Sequence, residues 1–141
     1  MDYPKLTLAP LERIQRMATK VVLRRGKYDS ATEAMSVLHW LPVAYRNKFK
    51  IACLVFQSLF GTAPDLLCVR RDGRLTRASC DGTLLAIPTT KRKTFAERSF
   101  SVAGPEIWNE LPRHLRGQSD FNQFKRDLKT FYFQKAYNRL M

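Results

Sequence analysis

Apolar positions recur every three to four residues through most of this chain, and the pattern breaks once, at a polar stretch rich in arginine. From about Leu11 to Arg25, LERIQRMATKVVLRRG places Leu11, Ile14, Ala18, Val21 and Val22 on one stripe. Arg13, Arg16, Lys20 and Arg24 fall mostly on the other side. That spacing predicts an amphipathic helix, with Gly26 placed to stop it. DSATEAMSVLHW predicts a short helix opened by Asp29 or Ser30 and closed before LPV. Pro42 suits the first turn of the next helix, VAYRNKFKIACLVFQSLFG, the longest apolar one. One of its faces carries Tyr45, Phe49, Ala52, Cys53, Phe56, Leu59 and Phe60, while Ile51, Leu54 and Val55 lie opposite. A helix apolar nearly all round is normally buried on several sides, so this one is expected at the centre of the core, with Gly61 as its stop.

Pro64 begins a further turn, PDLLC, and the character then changes. From Val69 to Thr94 the chain is rich in Arg, Thr, Ser and Gly. VRRDGR and CDG are turn signals and LLAIP reads as a short strand, so a two- or three-stranded antiparallel element is expected. SFSVAG alternates Phe100 and Val102 against serines as a half-buried strand does, and Gly104 then supplies a turn. In PEIWNELP, Pro105 opens and Pro112 closes a helix of about two turns, with Ile107, Trp108 and Leu111 sharing a face. That face plants Trp108 in a core, with Phe100 beside it. The last helix opens at Ser119 or Asp120 and buries Phe121, Phe124, Leu128, Phe131 and Tyr132, with Arg126, Lys129 and Phe133 on another side. The fold expected is mainly α with a small antiparallel β element, in a single compact domain over 1–141. It divides into about 11–68 helical, 69–104 basic strand and loop, and 105–141 helical, with a long buried central helix and an amphipathic C-terminal one.

Composition adds the partner. The apolar fraction of 45% and the aromatic fraction of 11% weigh against wholesale disorder. Against 12 Asp and Glu stand 25 Lys and Arg, a net charge of +13. Such an excess repels itself unless a polyanion relieves it, which puts nucleic acid first, an anionic membrane surface second, and a basic protein without a dedicated anion partner third. Arg70, Arg71, Arg74, Arg77, Lys91, Arg92, Lys93 and Arg98 form the basic centre and are the candidate phosphate contacts. Phe95, beside Lys93, is the candidate for stacking on a base.

Catalytic chemistry is not signalled. The carboxylates are scattered singly rather than paired for metal-dependent phosphoryl transfer, and no Gly-rich phosphate loop ending in Lys-Ser or Lys-Thr occurs. His39, between bulky apolar residues in LHWLP, reads as a packed core histidine. Neither it nor His114 has a nucleophile or acidic partner in a recognisable spacing. Cys53, Cys68 and Cys80 fall in no CxxC spacing, so no metal or cofactor is expected, and Cys53 reads as a small core residue. Met1 is followed by no secretory signal and no apolar run reaches membrane-spanning length, so an intracellular site, cytoplasmic or nuclear, is expected.

Taken in order, LERIQRMATKVV, KYDS, LHWLPV, FKIACLVFQSLFGTAP, TKRKTFAERSFSVAGPEIWNELP and FKRDLKTFYF resemble one family. It is the C-terminal region of reverse transcriptases from LINE-type, non-LTR retrotransposons, downstream of the polymerase palm and thumb. The resemblance runs from about Leu11 to Phe133, and LHWLPV followed by FSVAGPEIWNELP is its most specific part. It carries over no catalytic residue: the family's aromatic-Ala-Asp-Asp polymerase turn is not in this sequence, nor is its endonuclease domain. Ala96 and Glu97 stand before Arg98 where the family pattern has Gly-Asp, a departure that takes away the conformational freedom of that Gly. The resemblance implies a non-enzymatic, element-derived module that holds RNA or DNA beside the polymerase, RNA preferred. Two alternatives are a docking module whose partner is the rest of a polymerase, and a degenerate fragment with no independent activity. Docking predicts that the apolar stripe of the first helix is exposed until covered. Membrane binding through the basic aromatic C-terminal helix ranks behind these, since its stripe suits a protein core as well.

Overall fold

A computed structural model describes residues 5–60, 84–88 and 99–137. Among these residues six helices follow in order: α1 (Lys5–Val22), α2 (Ala31–Val37), α3 (Val43–Leu59), α4 (Phe100–Asn109), α5 (Arg113–Arg116) and α6 (Phe121–Tyr137). The chain is mainly helical, and no strand is present among the described residues. No helix among them is long and apolar enough to cross a membrane. The residues group into two compact units, Lys50–Leu128 and Asp2–Phe49 with Lys129–Met141, the divisions falling inside α3 and α6.

In the unit built on α1 and α2, both helices end the same way. The Arg25 N–H donates to the Lys20 carbonyl at 2.8 Å and the Arg24 N–H to that of Val21 at 3.1 Å. Fifteen positions later in the chain order, the Trp40 N–H donates to Met35 at 2.9 Å and the His39 N–H to Ser36 at 3.0 Å. Each pair is a Schellman closure, which needs a left-handed residue just past the helix. Arg24 (φ 51°) and His39 (φ 52°) occupy those positions. Gly26, the stop expected from sequence, lies beyond the closure and donates its N–H to the Asp29 carboxylate at 2.7 Å. Ser30 caps α2, its hydroxyl accepting from the Glu33 N–H.

Helix α1 faces inward through Gln15, Ala18 and Thr19, while Arg13, Arg16 and Arg24 stay exposed. Thr19 is fully buried and its hydroxyl donates to the Arg16 carbonyl at 2.8 Å. Gln15 donates its side-chain amide to the Leu41 carbonyl at 2.8 Å. Of the apolar stripe, Leu11, Ile14, Val21 and Val22 are exposed, Ile14 by 63% and Val21 by 77%, with Met17 exposed beside them, whereas Ala18 is half-buried. Burial in this unit falls instead on Ala34, Met35, Tyr132 and Tyr137, with the Tyr45 and Tyr132 rings 5.9 Å apart.

The other unit is packed around Phe56. Its ring lies 4.5 Å from Phe124, 5.6 Å from Phe121 and 6.4 Å from Trp108, and Trp108 lies 5.8 Å from Phe124. Trp108 is fully buried, so the aromatic segment is a core clasp. Helix α3 buries Ala52, Cys53, Val55 and Phe56 but leaves Leu54 exposed, as is Phe60 just past its end, so it is covered on one side rather than all round.

Four expectations are corrected by the structure. SFSVAG is not a strand: Ser99 is an extended N-cap whose carbonyl accepts from the Val102 and Ala103 N–H groups, and α4 begins at Phe100. Two alternating pairs are too few to fix a period of two, and the helical face formed by Phe100, Ala103, Gly104 and Ile107 prevails. Gly104 is not a turn but a helical contact point, where a Cβ would sit 3.1 Å from Val55 Cγ2. Pro105 lies inside α4 rather than at its start. The antiparallel β element is likewise absent among the described residues, since LLAIP supplies no strand. The remainder of its expected range, with Gly61 and the PDLLC turn, lies outside them. Asp120, one of the two caps offered by sequence, opens α6 by accepting from the Asn122 and Gln123 N–H groups.

Candidate nucleic-acid interface

All nine residues singled out from sequence, Arg70, Arg71, Arg74, Arg77, Lys91, Arg92, Lys93, Phe95 and Arg98, lie outside the described residues. Within the described residues, cations gather in two places on the α1–α2 unit. A cavity of about 480 Å³ is lined by Arg13, Arg16 and Lys20, with Glu12, Met17 and the first residue of α2, Ala31. Lys20 Nζ donates to the Lys27 carbonyl at 2.8 Å.

The second place is the connector from α2 to α3. The left-handed turn at His39 swings the chain outward, and each following peptide is then held. The Trp40 carbonyl accepts from the Tyr137 hydroxyl, and the Leu41 carbonyl from Gln15. Burial of Tyr137 raises its phenol pKa, which keeps the hydroxyl a donor to Trp40. The His39 ring stacks on Phe133 at 5.4 Å with planes 17° apart. Its Nδ1 lies 3.2 Å from the Val37 carbonyl, which can only accept, so Nδ1 carries a hydrogen. His39 is therefore exposed rather than a packed core residue.

Around this connector is a cavity of about 310 Å³ lined by Gln15, His39, Trp40, Leu41, Arg46, Phe49 and Lys129. Among the described residues no carboxylate lines it. Sequence reasoning singled out LHWLPV as a motif but missed Trp40, Arg46 and Lys129 as neighbours. The only signal was an aromatic residue next to a histidine at a helix end. The two cations belong to different helices far apart in sequence.

Other polar groups have structural roles. Burial pushes the Cys53 thiol up to about 11, against a small opposing pull from Lys125, so it is a core residue and not a nucleophile. Asp127 accepts from Gln118 Nε2 at 2.6 Å and from Gln123 Nε2 at 3.0 Å. Those bonds hold its carboxyl below the usual range, with His114 and Arg126 adding to the effect. Among the described residues no group of three His, Cys, Asp or Glu could hold a metal ion. Compared with protein-family models, curated proteins and solved structures, the chain matches none.

Proposed function

We propose that this chain is a non-enzymatic nucleic-acid-binding module, RNA preferred, derived from the C-terminal region of a LINE-type reverse transcriptase and acting in the cytoplasm or nucleus. The observation that carries the reading is the net charge of +13 on 141 residues. Each phosphate contact releases condensed counterions, so a cation excess of this size favours a polyanion whatever its sequence. Arg70, Arg71, Arg74, Arg77, Lys91, Arg92, Lys93 and Arg98 are the proposed phosphate contacts and Phe95 a proposed stacking side chain. The test is binding to labelled single-stranded RNA and duplex DNA across a salt series. Tight binding at physiological salt, a steep salt slope and an RNA preference support the module. Weak binding, equal for both ligands and lost at physiological salt, leaves only generic charge. Replacing Lys91, Arg92 and Lys93 together should then lower both affinity and slope.

A second reading, docking onto the rest of a polymerase, is favoured by one observation: α1 presents its apolar stripe outward. An exposed row of Leu11, Ile14, Met17 and Val21 is the usual mark of an interaction surface. Ile14→Glu with Val21→Glu would then raise solubility without lowering thermal stability. A loss of stability would mean that the stripe already packs within this chain.

A further inference from the structure

The connector cavity has features that generic charge does not explain. We infer that it accepts one unstacked nucleotide of a single strand, with the base against Trp40 and the phosphate on Arg46 and Lys129. This rests on the nucleic-acid reading above and names a subsite within it.

The first support is the unequal use of the two tryptophans. Trp108 is fully buried, whereas Trp40 is 37% exposed. A large aromatic surface left in contact with water forgoes the burial that normally places tryptophan inside. The second is charge: among the described residues, Arg46 and Lys129 line the cavity and no carboxylate does. An anion entering there meets two cations. The third is the polar complement. Gln15 spends its amide hydrogen on the Leu41 carbonyl, and His39 spends Nδ1 on that of Val37. The amide oxygen of Gln15 remains as an acceptor, which suits the N–H groups on a base edge.

The fourth support is rigidity. The left-handed turn at His39, the Tyr137 bond to the Trp40 carbonyl and the Gln15 bond to that of Leu41 fix the backbone on which Trp40 stands. A side chain on a fixed backbone loses little further freedom when a base stacks on it. The volume of about 310 Å³ is at the lower end for small-molecule sites and holds one nucleotide. Bases within a duplex are already stacked on their neighbours, so only a single strand can offer a free face.

The test uses the full chain and two signals. Fluorescence anisotropy of labelled oligouridine reports binding, and quenching of intrinsic tryptophan emission reports contact with Trp40, because Trp108 is out of reach. Binding with quenching is expected. Trp40→Ala should weaken the single strand by ~10-fold or more and leave duplex RNA unchanged, and Trp40→Phe should restore most of the loss. Arg46→Ala should lower the salt slope for the single strand by about 0.7. Circular dichroism and the residual Trp108 emission check that each variant is folded. Binding without quenching, or a Trp40→Ala variant that loses single strand and duplex equally, overturns the subsite and leaves the nucleic-acid reading standing. No binding of oligouridine at low salt overturns both. Quenching by an acidic peptide but not by oligouridine assigns the cavity to a protein partner instead.

Discussion

The side chain of Asn109 takes both hydrogen-bonding groups of one buried residue. Leu85 donates its N–H to Asn109 Oδ1 at 3.0 Å, and Asn109 Nδ2 donates to the Leu85 carbonyl at 2.9 Å. Leu85 is 1% exposed, so water cannot replace either bond. A carboxamide at the end of α4 thus does for this residue what a neighbouring strand would do.

Asn109→Ala should therefore cost about 2–3 kcal/mol, since it strands a buried donor and a buried acceptor together. Asn109→Asp keeps the acceptor and loses the donor, and should fall between the two. Urea denaturation of the three proteins gives the order directly.

Gly104→Ala sets two effects against each other. Alanine gains up to ~1 kcal/mol of helix propensity over glycine. Its methyl group, however, would lie 3.1 Å from Cγ2 of Val55, which is itself fully buried and, being β-branched in a helix, has one comfortable rotamer. Overpacking costs ~1–3 kcal/mol, so the substitution should lower stability by about 1 kcal/mol, seen as a lower Tm. Pairing it with Val55→Ala should recover part of that loss.

Asp127 supplies the pH dependence. Its folded-state pKa lies below the ordinary carboxylate value of 3.8 because Gln118 and Gln123 hydrogen-bond the charged form. Its stabilising contribution is thus fully present above about pH 4 and is lost as the pH falls through the folded value. Asp127→Asn should be less stable than the parent at neutral pH and should lose less on going below about pH 4. Parallel acid limbs for the two proteins would remove Asp127 as the source.

Arg24 is a non-glycine residue in the left-handed region, a conformation that costs an L side chain roughly 1–2 kcal/mol. Glycine there removes the cost and returns part of it as unfolded-state entropy. Arg24→Gly should raise stability by about 0.5–1 kcal/mol, measured by denaturant midpoint.

The same closure explains what the sequence concealed. The pattern of α1 was legible as a helix, but its end was assigned to Gly26, because glycine is the residue that tolerates positive φ. Val22-Leu23-Arg24-Arg25 and Val37-Leu38-His39-Trp40 close two helices without one. Trp108, Phe124 and Leu128 were legible as core because each repeats on a helical face and is large. Which side of α1 faces inward was not, since it depends on Gln15 and Thr19 finding carbonyls, and periodicity reports only apolar spacing. His39 was misplaced for a related reason: its apolar neighbours suggested burial, while the backbone turn put it outside. The cavity at Trp40 was invisible because Arg46 and Lys129 meet only in three dimensions.

The tie between Tyr137 and Trp40 joins positions 97 residues apart in sequence. Lys129 comes from the same late helix. A ribosome making this chain will have released α1, α2 and the Trp40 turn long before either residue exists. The cavity can therefore close only once Lys129 and Tyr137 have been made, and a chain cut anywhere between Arg46 and Lys129 would keep Trp40 but have only one of the two cations beside it.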